Sequence, residues 1–228
     1  MTARVLKQDG LGRTVLVDDA RGPRVRREAC GGRWPGSAVL ARFLLRRERR
    51  ALAALAGMAG VPALVADEPA TGHALARTYV AGEPLWAATA LPRDYFDLLG
   101  ALVAALHARG VCHNDLHKEN NILVQPDGRP ALIDFQLATV HDRRGRTFAA
   151  RSREDRRPVD KHRRRYERAG VLTAADREAR SRLASAWLRL GKPVWNRLRT
   201  ALGVRRPEPR RPRGGPWPEW TPPVGPLP

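Results

Sequence analysis

Only two cysteines, Cys30 and Cys112, occur in 228 residues. That is too few for a disulfide framework and fits a reducing compartment. No unbroken run of apolar residues is long enough to cross a bilayer, which excludes an evident membrane span. The first ten residues, MTARVLKQDG, lack the apolar stretch of a secretory signal. The expected location is therefore the cytoplasm, with the inner membrane face as a peripheral alternative. Lysine is scarce beside arginine, and acidic residues are few: 23 Asp and Glu stand against 42 Lys and Arg, for a net charge of +19. Such an excess implies an anionic partner, whether nucleotide, acidic phospholipid, lipopolysaccharide or nucleic acid, the last being the weakest candidate. Part of it is also what arginine-, alanine- and proline-rich codon usage in a GC-rich genome produces.

What is present reads as a soluble globular chain. Hydrophobic residues make up 43% and the mean hydropathy is −0.46. The length allows one ordinary domain or two small lobes. No internal repeats are visible.

The most informative stretch runs VCHNDLHKENNILVQPDGRPALIDFQLA, residues 111–138. Residues 121–124 and 131–133 are short apolar strands, and Pro126-Asp127-Gly128 between them is a turn signal. The unit is a β-hairpin. A hairpin returns the chain to its starting end, so Asn120 before it and Asp134 after it emerge together. Asp115 lies on the entering loop. Two carboxylates and an amide gathered in this way suit Mg²⁺ beside phosphate oxygens. A zinc site through His113 and His117 is the rival, but no cysteine lies near and the segment leads into a strand rather than a helix. Cys112 continues an apolar strand entry and reads as packing.

The order His113-Asn114-Asp115-Leu116 followed by Asn120, with Asp134-Phe135-Gln136 beyond the hairpin, resembles the catalytic core of the protein-kinase-like phosphotransferases. It is most similar to small bacterial atypical members, the RIO-like kinases and lipopolysaccharide-core sugar kinases. The resemblance implies an α+β, two-lobed fold. A β-rich N-lobe over residues 1–80, with five strands and one helix, would precede a mostly helical C-lobe over 81–202. A Pro/Arg-rich tail would follow over 203–228. It implies ATP and Mg²⁺, with Asp115, Asn120 and Asp134 as the catalytic set. Asp115 would handle the acceptor proton, and Asn120 with Asp134 would hold the metal. His113 would support the loop, while Lys118 and His117 would lie near the γ-phosphate.

The same resemblance organises the rest of the chain. Residues 3–7 and 14–18 are β-type runs, and Gly10 and Gly12 between them take the place of a phosphate-covering glycine loop, although a bare hairpin needs such glycines too. Residues 24–29 read as a third strand. Here the family has a phosphate-binding lysine and this chain has none; Arg27 falls at the matching V-x-K spacing, with Arg26 as the alternative. Ser37 is the expected N-cap of a helix over 38–56. Its apolar stripe of Leu40, Leu44, Ala51, Leu52 and Leu55 carries Glu48 on the buried side, where a carboxylate needs a cation. Arg27 or Arg26 is the expected partner. Residues 63–67 and 74–80 are two further strands, and Thr78 and Val80 mark a hinge facing adenine. Pro92 to Arg109 reads as a helix with Gly110 at its C′ position. Asp155 or Asp160 is the candidate anchor behind the catalytic loop. The basic run Lys161-His-Arg-Arg-Arg-Tyr166 is either an anion-binding face or a solvated helix. Two amphipathic helices are expected between 173 and 202, packed on the domain or lying on an anionic membrane.

No Ala-Pro-Glu motif follows Asp134, so the peptide-docking platform of larger kinases is not expected. The resulting expectation is an ATP-dependent kinase phosphorylating a hydroxyl, first a serine or threonine of a protein. A sugar of a lipid-linked acceptor is the alternative, and a catalytically weak binding module is the third.

Overall fold

The structure is a computed structural model and describes residues 2–20, 22–30, 35–65, 73–88 and 91–167. Alternating runs rich in valine and arginine form the N-terminal sheet. Its strands are β1 (Thr2–Asp9), β2 (Gly12–Asp19), β3 (Gly22–Ala29) and β4 (Ala74–Thr78), antiparallel and in that order. The register pairs Thr14 with Arg27 and Arg27 with Leu75, and Leu16 with Val25 and Val25 with Arg77. Paired residues share a face, so both arginines stand on the same side of the sheet as the buried Leu16, Val25 and Leu75.

Among the described residues, the five strands expected here are four strands plus a bridge. Residues 63–65 meet β4 only through the isolated pair Leu64 and Arg77, with Thr78 N donating to Ala63 O at 2.8 Å and Val65 N to Ala76 O at 3.1 Å. Pro62 just before this stretch has no N–H to extend the ladder.

Helix α1 (Ser37–Ala54) buries Leu44, Glu48, Ala51 and Leu52 of the expected stripe, with Leu55 buried just past its end and Leu40 only half-buried, while Ala41 and Leu45 join the buried face. Ser37 is not its N-cap, as expected from sequence. Gly36 is, in a left-handed conformation (φ 85°), and Ser37 is buried as the first helical residue. The arginines around Glu48 pin the helix. Arg49 donates to Ala74 O at 3.0 Å, and Arg47 donates to Leu137 O at 2.7 Å and Ala138 O at 3.0 Å.

The chain then passes through β5 (Glu83–Pro84) to α2 (Tyr95–Ala108), β6 (Val111–Cys112), β7 (Ile122–Val124), β8 (Pro130–Leu132), β9 (Thr139–Val140) and α3 (Arg146–Glu167). Helix α2 buries Tyr95, Leu99 and Leu106 beneath the β7–β8 hairpin. Gly110 ends it at φ 74°, where a Cβ would meet His141 O at 2.5 Å. One apolar cluster joins Leu45, Leu52 and Leu55 of the N-terminal part to Leu99, Ile122, Leu132 and Phe135. Truncating such a residue costs about 2–5 kcal/mol.

Helix α3 continues through Pro158 although proline breaks a helix ladder. The buried side chains Asp155, Val159 and His162 on either side of it hold it in register. None of the described helices is long and apolar enough to cross a membrane. The helices expected between 173 and 202 and the tail from 203 lie outside the described residues.

Candidate active site

The hairpin expected from residues 121–133 forms as β7 and β8, with Ile122 opposite Leu132 and Leu123 opposite Ala131. Gly128 takes φ 81° in the turn, its N donating to Gln125 O at 2.8 Å. Ile133 N donates to Asn121 O at 3.0 Å, so the two ends meet. Asp134 follows with φ 66°, a left-handed conformation shared among described non-glycine residues only with Asn114 at φ 64°. Such backbone is uncommon and costs energy, and it clusters at functional sites. Both residues flank the chemistry expected here.

Asp115 is 2% exposed. Its Oδ2 accepts from Lys118 Nζ at 2.6 Å and from Asn121 Nδ2 at 3.1 Å, and Asn121 also donates to its backbone carbonyl at 3.0 Å. His117 Nδ1 lies 3.2 Å from Oδ1. His113 is fully buried, donates from Nε2 to Ile133 O at 3.0 Å and packs its ring 4.7 Å from that of Phe135. It ties the Asp115 loop to the Asp134 segment.

Of the two candidate anchors, Asp155 on α3 is the one used, whereas Asp160 is exposed. Asp155 accepts from His113 N and Asn114 N at 2.7 Å each and from His107 Nε2 at 3.1 Å. The basic run after it docks in part on the loop, with Lys161 and Arg165 exposed. His162 Nε2 donates to Leu116 O at 3.0 Å, Tyr166 Oη donates to Glu119 at 2.8 Å, and Arg165 pairs with Glu119. His107, Cys112 and Asp155 place ligand-type atoms within 4.8 Å of one another. Asp155 already serves two backbone N–H groups, and burial pushes the Cys112 thiol up to about 12. The trio is packing around an anchor.

At the sheet side, Glu48 is fully buried and its partner is Arg77 of β4, not Arg27 or Arg26. Burial pushes the Glu48 carboxyl above its usual range, with Arg77 opposing. Sequence reasoning passed over Arg77, although an arginine inside the run Ala74-Leu75-Ala76-Arg77 is itself a signal that a buried charge needs a partner. Arg27 is 8% exposed and lies on the same sheet face.

A cleft of about 340 Å³ opens between this face and the hairpin. Arg27, Arg77, Thr78, Val80, Asn120 and Asp134 line it, as do Lys7 and Asn121. Gly10 and Gly12 do not. The Asp9 carboxylate accepts from Leu11 N at 2.9 Å and Gly12 N at 3.1 Å, so these amides are consumed within the hairpin tip. Gly12 is required for packing instead, since a Cβ there would lie 2.0 Å from Glu28 O. At the hinge, the Thr78 amide is taken by Ala63 and the Tyr79 amide by Pro23 O at 3.3 Å. The Val80 backbone has no such partner among the described residues.

The donor set fits a hard divalent cation. Asp134 Oδ1 is buried with no hydrogen-bond partner. Burial acts to raise the Asp134 carboxyl, but Arg77, Arg27, Lys7 and Lys118 together hold it below its usual range, hence ionised. Asn121 is committed to Asp115, and Asn120 beside it lines the cleft. A carboxylate and an amide oxygen here match what Mg²⁺ takes from protein.

Comparison with known proteins points the same way. Residues 93–144 match the model of the phosphotransferase enzyme family (APH). The chain is also 34% identical over 133 residues to a "Probable SapB synthase" of Streptomyces coelicolor, a match covering 46% of this chain and 14% of that protein. The matched family segment holds α2, the Asp115 loop, the hairpin and Asp134. The chain has a protein-kinase-like α+β fold, and over residues 93–144 it is similar to the phosphotransferase enzyme family.

Proposed function

We propose that this protein transfers the γ-phosphoryl group of ATP to an alcohol. The observation supporting this most directly is the meeting of the buried Asp115 loop and the left-handed Asp134 at one hairpin end, beside a cleft lined by arginines. Phosphoryl transfer asks chiefly for positioning and charge neutralisation. Asp115 accepts the acceptor hydroxyl proton as that oxygen bonds to the γ-phosphorus and the bond to the β-phosphate oxygen breaks, leaving ADP. Asn121 and Lys118 hold the Asp115 carboxylate, and Asp155 fixes the backbone of the loop from behind. Asp134 with Asn120 would hold Mg²⁺, which when bound neutralises phosphate charge. Arg27 faces the phosphates, and Glu48 with Arg77 fixes the inner wall. Thr78 and Val80 border the adenine end.

The first acceptor reading is a serine or threonine hydroxyl of a protein. The second, a sugar hydroxyl of a lipid-linked acceptor, is favoured by a specific feature: α3 starts at Arg146, soon after the turn Phe135–Leu137, leaving little chain for a peptide platform. The net charge of +19 supports an anionic membrane surface as the place where such an acceptor is met. The absent β3 lysine keeps a weak or inactive nucleotide-binding module as the third reading.

The test is ATP turnover with labelled nucleotide and cell fractions, for wild type, Asp115→Ala and Asp134→Ala. Turnover lost by about 10²–10⁴-fold in Asp115→Ala supports the reading. Equal turnover in all three proteins excludes it. Label confined to protein, or to the lipid fraction, separates the acceptors.

A further inference from the structure

Strict alternation along β1 would put Leu6 opposite Thr14. The ladder runs Arg4 to Leu16 and Val5 to Val15, then slips, so that Lys7 faces Thr14. This is a β-bulge, a device that re-aims a side chain. Thr14 in turn pairs with Arg27. Lys7, Thr14 and Arg27 therefore form one row across the sheet, on the face that borders the cleft, and all three line it.

Two further observations give this row a purpose. The hairpin tip leaves the Leu11 and Gly12 amides facing Asp9, so they are committed away from phosphate. β3 offers arginine where an ammonium is expected. Lysine is rare in this chain (Lys7, Lys118, Lys161 and Lys192), yet one sits half-buried at the wall facing Asp134.

We infer that Lys7 is a phosphate-positioning residue, delivered by the β1 bulge to grip the polyphosphate of a nucleoside triphosphate opposite Arg27, in place of the glycine-loop amides and the β3 lysine. An ammonium on a flexible stem is a compact point charge that follows a phosphate chain, whereas the planar Arg27 fork holds one oxygen pair in a fixed plane. The inference rests on the phosphotransferase reading, because it names a subsite of the same cleft.

Calorimetric titration of the full chain with Mg-ATP, Mg-ADP and adenosine tests it, in wild type, Lys7→Ala and Lys7→Arg. The expected result is an affinity loss on the order of tenfold for Mg-ATP in Lys7→Ala, the effect of one lost charge-assisted hydrogen bond. Adenosine affinity stays unchanged, and Lys7→Arg, which keeps the charge but not the compact ammonium, recovers only part of the loss. Unchanged adenosine binding also shows that the variant is folded. An equal loss for ATP and adenosine, or no loss for ATP, overturns the inference while leaving the nucleotide site intact. Wild type that binds adenosine and Mg-ATP equally also overturns it. Wild type that binds neither overturns the phosphotransferase reading itself.

Discussion

Arg77 of β4 donates to Glu48 of α1, and that carboxylate is 0% exposed. The pair joins sheet to helix at the inner wall of the cleft. Removing one partner strands a buried charge, so Arg77→Ala and Glu48→Ala each should cost about 3–5 kcal/mol. The double variant should cost clearly less than the sum. Urea denaturation of the four proteins measures this. Arg27→Ala should by contrast weaken Mg-ATP binding with a smaller loss of stability, since Arg27 lines the cleft and acts on Glu48 only through its charge.

Asp155 serves the His113 and Asn114 amides from the far side of the loop. Asp155→Ala leaves two buried donors unmatched, at about 1–3 kcal/mol each. Asp155→Asn keeps one acceptor oxygen and should lose about half as much. Because the loop carries Asp115, turnover in Asp155→Asn should fall through kcat, with Mg-ATP affinity nearly unchanged. Thermal denaturation and steady-state kinetics check both statements.

His162 gives a pH signature. Burial lowers its affinity for a proton, outweighing its bond to the Leu116 carbonyl and the nearby Glu119, so its folded pKa lies below the ordinary 6.5. Below 6.5 the unfolded chain binds the proton first. This contribution to stability is complete above 6.5 and is lost as pH falls towards the folded value. The slope is at most about 1.4 kcal/mol per pH unit. His162→Gln should flatten the stability curve as pH falls below 6.5, as read by denaturant titration.

The hairpin tip gives a fourth expectation. Gly12→Ala would drive a methyl to 2.0 Å from Glu28 O and should open the β1–β2 hairpin, lowering the melting temperature. Gly10→Ala should be milder. Asp9→Ala releases the Leu11 and Gly12 amides and removes a negative charge, so Mg-ATP should bind more tightly, by about 2–5-fold. Weaker binding in Asp9→Ala would mean that the tip already serves phosphate as it stands.

Much of this was legible in the chain. The turn Pro126-Asp127-Gly128 between two apolar runs gave the hairpin, and a hairpin brings Asn120 and Asp134 together by local geometry alone. The stripe of α1 put Glu48 inside, because a helix repeats every 3.6 residues. Ser37 is not the N-cap because the cap falls one residue earlier, at Gly36, whose left-handed backbone (φ 85°) a glycine adopts without strain. Glu48 was matched to the wrong arginine for a different reason. Arg27 and Arg77 sit two ladder positions apart on the same sheet face, and spacing along one strand cannot rank two strands by their distance from a helix.

The sequence by itself determined the loop around Asp115, the hairpin, the buried glutamate and the likeness to phosphotransferases, because each rests on residues near one another in the chain. Tertiary structure alone decided that Arg77 answers Glu48, that Asp155 holds the loop, and that a bulge turns Lys7 inward while Asp9 closes the glycine tip. Those outcomes depend on strand register and helix docking. One extra residue in a ladder exchanges inner for outer faces, and nothing in the local sequence of β1 records where its partner strand slips.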